Sequence, residues 1–227
     1  MLQNPHTAQG GDVIFFDWDG TIADSMDLCV QEISLALARM GCEPRPLETL
    51  RACNGPTDEE SIAILGIDPA RGAEYLRLRE EAEFEILADT TRLFPGIAEA
   101  LRRCAGRARL AVVSNGIPRY IGESLALFGL EEVFERWEGW QLGRTKAEAL
   151  AQLLAEMKPD RAILVGDRIG DFNAAHACGV PALAAKFGYG NPAEWAQAEA
   201  CCETVDGLPA AARALLETPA ARRGGRG

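Results

Sequence analysis

Val13-Ile14-Phe15-Phe16-Asp17-Trp18-Asp19-Gly20-Thr21 is an apolar run that stops in two aspartates one residue apart, with Gly-Thr directly behind them. A short unbroken apolar run closed by turn residues is how a strand buried on both faces reads. Residues two apart in an extended chain point the same way. Asp17 and Asp19 therefore face one point and repel unless a cation or a shared proton lies between them.

Outward from this stretch, the rest of the chain alternates. From Leu93 onward helix-like Gly96 to Cys104 leads to strand-like Leu110 to Val113, and Pro118 to Phe128 leads to a short strand near Trp137 to Trp140. Helix Thr145 to Met157, strand Ala162 to Val165, helix Asp171 to Cys178 and strand Pro181 to Ala185 follow. Helix Pro192 to Ala198, a weak strand at Cys202 to Val205 and a helix to about Leu216 complete the series. Such alternation predicts an α/β fold, a doubly wound parallel sheet with helices on both faces.

The second strand of this kind begins only at Leu110, far beyond the dozen or so residues a crossover needs. The surplus is helical in pattern. Leu28, Ile33, Leu37 and Met40 recur at helical spacing within Met26 to Met40, and Pro69 to Ala88 is long, charged and free of internal proline. An all-helical insert is thus predicted at residues 25–92, and residues 1–24 and 93–227 form the α/β core.

The 227 residues are 48% apolar and 25% charged, enough for a real core and a smaller second unit. Net charge is −11, with 34 acidic against 23 basic residues spread along the chain, which excludes nucleic acid or an anionic membrane as the expected partner. No apolar run approaches the ~20 residues of a bilayer span, and MLQNPHTAQGGD lacks the pattern of a signal peptide. The expected location is cytoplasmic. Seven cysteines without a C-x-x-C pair suggest neither a disulfide framework nor a zinc site. The closing ARRGGRG reads as a frayed terminus.

Ligands of an open parallel sheet bind beyond the carboxyl ends of its strands. Three predicted strands end there in reactive residues: Asp17 to Thr21, Ser114-Asn115-Gly116, and Gly166-Asp167 with Asp171 four residues on. Four carboxylates at one edge call for a hard divalent cation such as Mg²⁺, which prefers oxygen ligands. Ser114, Lys146, Thr21 and the backbone N–H groups of Asn115 and Gly116 offer donors and positive charge to an anion, and phosphate fits.

In order and spacing, Asp17-x-Asp19-Gly20-Thr21, Ser114-Asn115-Gly116, Lys146 and Gly166-Asp167-x-x-x-Asp171 resemble the four motifs of the haloacid dehalogenase superfamily, over roughly Val13 to Leu216. The insert after the first motif resembles the helical cap of its phosphoglycolate phosphatase-like branch. The resemblance implies that Asp17 is a nucleophile forming an aspartyl-phosphate and that Asp19 is the acid and base. It also implies that the Asp17 carboxylate, the Asp19 main-chain carbonyl and the Asp167 carboxylate hold Mg²⁺, with Asp171 in or near that shell, and that Ser114 and Lys146 hold phosphoryl oxygens.

The family's dehalogenases lack the second aspartate, so Asp19 points to phosphoryl transfer. The expected activity is a Mg²⁺-dependent phosphatase for a small phosphorylated metabolite such as phosphoglycolate, from a monomer or homodimer. A phosphosugar mutase uses the same aspartate pair and is the alternative. A non-catalytic binding relative would need neither Asp17 nor Asp19.

Other residues carry two readings each. Arg51 and Asn54, in the polar turn Arg51 to Thr57, are either cap-loop contacts to the substrate's leaving group or parts of a plain helix connection. Arg168 is either a substrate or partner contact or an ion pair, and Tyr189 is a candidate for lining the site's rim. His176 and Cys178 read as structural, Cys201-Cys202 as a buried strand, and Trp137 and Trp140 as strand packing.

Overall fold

The apolar run forms the strand β1 (Asp12–Phe16), and its place in the sheet decides the rest. In the computed structural model, which describes residues 10–141 and 143–222, β1 lies between β4 (Arg109–Val113) and β6 (Arg161–Gly166), parallel to both. β5 (Arg136–Glu138) extends the sheet beyond β4, and β7 (Ala182–Ala185) and β8 (Ala200–Cys202) extend it beyond β6. The order is β5-β4-β1-β6-β7-β8, with each paired neighbour parallel. The chain winds outward from β1 to β5, then crosses back to β6. The carboxyl ends of β4, β1 and β6 thus surround the switch point, where open α/β sheets hold their ligands.

Helices cover both faces, which is why the central strands are apolar without alternation. Val13 and Phe15 pack with Ala111, Val113 and Leu164 against α7 (Lys146–Met157) and α8 (Ile169–Ala177). α5 (Ile97–Ala105) and α10 (Leu208–Leu216) pack together over β4 and β6. α6 (Pro118–Leu127) lies along β5, and α9 (Pro192–Trp195) is a single turn.

Ala23–Arg92 forms a compact unit of its own, apart from a unit made of the chain up to Ile22 and from Leu93 onward. Its helices are α1 (Met26–Arg39), α2 (Leu47–Arg51), α3 (Asp58–Leu65) and α4 (Gly72–Thr90). Two short strands, β2 (Ala23–Asp24) and β3 (Arg92–Leu93), pair where the chain enters and leaves it. Ile33, Leu37, Leu50, Leu65 and Tyr75 form its core. Arg79 on α4 binds Glu32 of α1 and Asp58 of α3, each at 2.7 Å, and Glu32 is only 2% exposed. Thr57 and Glu60 make a capping box that starts α3.

Element ends differ from the sequence pattern in a few places. The last strand forms at Ala200–Cys202 rather than Cys202 to Val205, because Thr204 caps a short 3₁₀ turn at Val205–Gly207. Strand alternation then exposes Cys201 while burying Cys202, so the vicinal pair is not buried as a unit. The helix expected from Pro69 opens with a 3₁₀ turn before α4 begins. All seven cysteines are free. Most of ARRGGRG and most of the N-terminal stretch MLQNPHTAQGGD lie outside the described residues. Among the described residues no helix is long and apolar enough to cross a membrane.

Candidate active site

β1 delivers Asp17 to the carboxyl edge of the sheet, where its N–H continues the ladder by donating to the Val165 carbonyl at 2.9 Å. A tight turn follows: the N–H groups of Thr21 and Ile22 both donate to the Trp18 carbonyl, at 3.3 and 2.8 Å. Gly20 makes the turn with φ +77°, and a Cβ there would stand 2.5 Å from the Asp167 carboxylate. Trp18 is fully buried.

β6 delivers Asp167 beside Asp17, and the first turn of α8 adds Asp171. One oxygen from each of these three buried carboxylates lies within 4.8 Å of the others. Lys146, the first residue of α7, places its Nζ 3.0 Å from Asp17 Oδ1 and 2.6 Å from Asp171 Oδ1. Asp171 Oδ2 also accepts the Arg168 N–H at 3.1 Å. Asp167 accepts the Thr21 hydroxyl at 3.3 Å and the Tyr189 N–H at 2.7 Å, and its carbonyl accepts the Trp195 indole N–H at 3.1 Å.

Crowded charge shifts the protonation of these groups. Burial, then the Asp171 carboxylate, push Asp17 from 3.8 up to about 7, although Lys146 pulls it down. Burial, with Asp171 and Asp17 behind it, also holds Asp167 well above the usual carboxylate range. Burial alone would lower Lys146, but Asp17 and Asp171 outweigh it and hold the ammonium above the ordinary lysine value. A site with one ammonium among three carboxylates lacks positive charge, and an all-oxygen donor set of this kind suits a hard divalent cation.

Asp19 stands apart from this trio. Its Oδ1 accepts the Tyr120 hydroxyl at 2.7 Å, so the two aspartates that share a strand end meet different partners. Ser114, 3% exposed, ends β4, and its Oγ accepts the Gly116 N–H at 3.3 Å.

Of the residues singled out in the sequence, Asp17, Thr21, Lys146, Asp167 and Asp171 come together directly. Ser114, Asn115 and Gly116 form the neighbouring strand-end loop, with Asp19 Oδ2 beside Gly116. Arg51 and Asn54 belong to the helical unit: Arg51 is exposed at the end of α2, and Asn54 is buried and donates to Ser25 Oγ at 3.5 Å. Arg168 pairs with Glu194 at 3.1 Å, and His176 is exposed on α8 beside Glu199 at 3.0 Å. Tyr189, singled out for the rim, brings its N–H to Asp167, whereas Tyr120 and Trp195 have no signal in the sequence, because their partners lie 101 and 28 residues away.

The model of the haloacid dehalogenase-like hydrolase family matches residues 14–185. The chain belongs to that family. This haloacid dehalogenase-like protein is 26% identical over 193 residues to a phosphoglycolate phosphatase from Psychrobacter arcticus, covering 78% of this chain and 84% of that one. It is 29% identical over 189 residues to a 5′-nucleotidase from Pseudomonas aeruginosa, covering 80% and 85%. Among solved structures, a haloacid dehalogenase-like family hydrolase from Streptococcus pneumoniae superposes with a TM-score of 0.80 at 22% identity, covering 87% of this chain and 96% of that one.

Proposed function

We propose that the protein is a Mg²⁺-dependent phosphatase that hydrolyses a small phosphomonoester through an aspartyl-phosphate on Asp17. The observation that carries this reading is the convergence of Asp17, Asp167 and Asp171 around Lys146 at the switch point of the sheet. Two relatives with phosphate-ester names, a phosphoglycolate phosphatase and a 5′-nucleotidase, support the substrate class.

Asp17, Asp167 and Asp171 would hold the cation, together with the Asp19 main-chain carbonyl. When bound it supplies the positive charge that offsets the phosphoryl oxygens and the crowded carboxylates. Lys146 favours the ionised, nucleophilic form of Asp17 against the opposing effects of burial and Asp171. An Asp17 oxygen attacks phosphorus as the bond to the leaving oxygen breaks, and Asp19 gives that oxygen its proton. Asp19 then takes a proton from water, which attacks phosphorus, releases inorganic phosphate and restores Asp17. Ser114 and the Asn115-Gly116 loop face the phosphoryl oxygens.

Selection among phosphomonoesters is assigned to the helical unit acting as a cap, with exposed Arg51 as the candidate reader of the substrate. Phosphoglycolate is the first substrate to test, with 5′-nucleotides and hexose phosphates beside it. Asp17→Asn is expected to abolish phosphate release from an aryl phosphate in a folded protein, and chelation of Mg²⁺ to do the same. Retained activity in that variant would refute the nucleophile assignment. Isomerised product from hexose 1-phosphate with a trace of bisphosphate would establish a mutase instead.

A further inference from the structure

We propose that Glu194 and Trp195 are positioning residues that hold Asp167 and Asp171 in place for the cation. This rests on the cation-dependent phosphatase reading above. The two residues are neighbours on α9, and they grip two neighbours at the end of β6. Glu194 Oε1 accepts the Arg168 Nε–H at 3.1 Å across 26 residues of sequence, and the Trp195 indole N–H donates to the Asp167 carbonyl at 3.1 Å across 28. From there the contacts run on into the site. The Arg168 backbone N–H donates to Asp171 Oδ2 at 3.1 Å, and Asp171 Oδ1 meets Lys146 Nζ at 2.6 Å. The Asp167 carboxylate is held from the same loop by the Tyr189 N–H at 2.7 Å.

A purely local role for Glu194 accounts for only one of its oxygens. Oε2 closes the capping box of α9, accepting the Asn191 backbone N–H at 3.0 Å and its side-chain amide at 2.7 Å. The box needs nothing more. Oε1 nonetheless leaves its own helix for Arg168, and the Ile169 N–H approaches the same oxygen at 3.5 Å. Both of these residues lie in the short link between Asp167 and Asp171, so one carboxylate ties the start of α9 to the start of α8. Trp195 packs against the core shared by β1, β6 and α8, which fixes the aim of its indole N–H. Mg²⁺ demands near-ideal octahedral geometry, so small displacements of its oxygens are costly. Groups that orient a metal's ligands without touching the metal change its affinity by roughly ten- to a hundredfold when removed. Neither residue makes or breaks a bond in the reaction; what each supplies is the position of a ligand.

The Mg²⁺ affinity of the full chain separates positioning from plain packing. It is measured by calorimetry at about 0.15 M salt, where a distant charge acts weakly. Glu194→Ala is expected to raise the Mg²⁺ Kd roughly tenfold. Trp195→Phe keeps a ring against the core and removes only the N–H, and it too is expected to raise Kd roughly tenfold. Asn191→Ala breaks the cap of α9 but leaves Oε1 with Arg168, and its Kd is expected to stay within about twofold of wild type. Kd is a property of the folded molecules, so a variant with a lower melting temperature still reports it, the folded fraction entering only the stoichiometry. A second measurement uses protein labelled with fluorotryptophan. The fluorine resonance that Trp195→Phe removes is expected to shift as Mg²⁺ is added, with the midpoint found by calorimetry. Wild-type affinity in either the Glu194→Ala or the Trp195→Phe protein, a loss in Asn191→Ala as large as in Glu194→Ala, or a Trp195 resonance indifferent to Mg²⁺ would overturn the positioning role while leaving the phosphatase reading in place. A wild-type protein that binds neither Mg²⁺ nor Mn²⁺ would overturn the cation-dependent reading and this role together.

Discussion

Asp17→Asn is expected to stabilise the metal-free protein while destroying the proposed activity, because ionising this buried carboxylate has a cost. Burial and the Asp171 carboxylate raise Asp17 from 3.8 to about 7. The folded state therefore binds more protons than the unfolded chain between about pH 4 and pH 7, and stability falls as pH rises through that window. The distance from 3.8 to about 7 sets a ceiling of about 4 kcal/mol above pH 7. Relaxation of the site, and Asp167 sharing the same strain, bring the expected gain from a neutral asparagine to about 2–4 kcal/mol. For a chain of this size that is roughly 5 to 15 °C in melting temperature. The assay is thermal and urea unfolding of both proteins at pH 8 in chelator, repeated at pH 5, where the gain shrinks to about 2 kcal/mol or less. Saturating Mg²⁺ should narrow the pH 8 difference, because the cation stabilises only the wild type strongly. An asparagine variant no more stable than wild type at pH 8, or a gain that does not depend on pH, would refute the electrostatic reasoning.

Cation binding at pH 6 is expected to release protons, since Asp17 and Asp167 are both held above the ordinary carboxylate range. Calorimetry in buffers of different ionisation heat measures this directly, and zero release would count against these carboxylates as ligands. In the helical unit, Arg79→Met strands the buried Glu32 carboxylate and is expected to cost about 3–5 kcal/mol in urea unfolding. Adding Glu32→Gln should recover part of that loss, and a double variant as unstable as the single one would contradict the pairing. Gly190→Ala directs a methyl group into the Asp167 carbonyl, with the Trp195 indole 2.5 Å from the same point. It is expected to cost about 1–3 kcal/mol by overpacking and to weaken cation binding through Asp167. Unaltered Mg²⁺ affinity would show that the loop can move aside.

Strands buried on both faces are legible as apolar runs, and the residue that ends each run is legible as an edge residue. That is why Asp17, Ser114 and Asp167 stand out in the sequence before any contact is known. Lys146 is legible by company, since Thr145 caps the helix that carries it. What holds these residues is a different matter. Tyr120 reaches Asp19 from a helix that follows another strand, and the Tyr189 amide reaches Asp167 from the loop after β7. Such pairs depend on strand order, which periodicity does not encode. The glycines at 188 and 190 are visible in Lys186 to Gly190, but their reason is a lack of space. A Cβ at 188 would meet the Gly20 carbonyl, and one at 190 the Asp167 carbonyl.

The same lack of space explains how one strand end can carry two carboxylates with different surroundings. Asp17, 6% exposed, is enclosed by Asp171 and Lys146, so its charge is controlled by fixed neighbours rather than by water. The nucleophilic role proposed for Asp17 is served by that enclosure, because a solvated carboxylate is a weak nucleophile. Asp19, two residues on, is partly exposed and bonded to a neutral phenol. The acid and base role proposed for Asp19 calls for access to solvent, which its partial exposure provides. Trp18 between them is wholly buried, which anchors the turn from which the two carboxylates diverge. The pair is thus separated by environment rather than by distance along the chain, the usual way in which two chemically equal side chains acquire unequal roles.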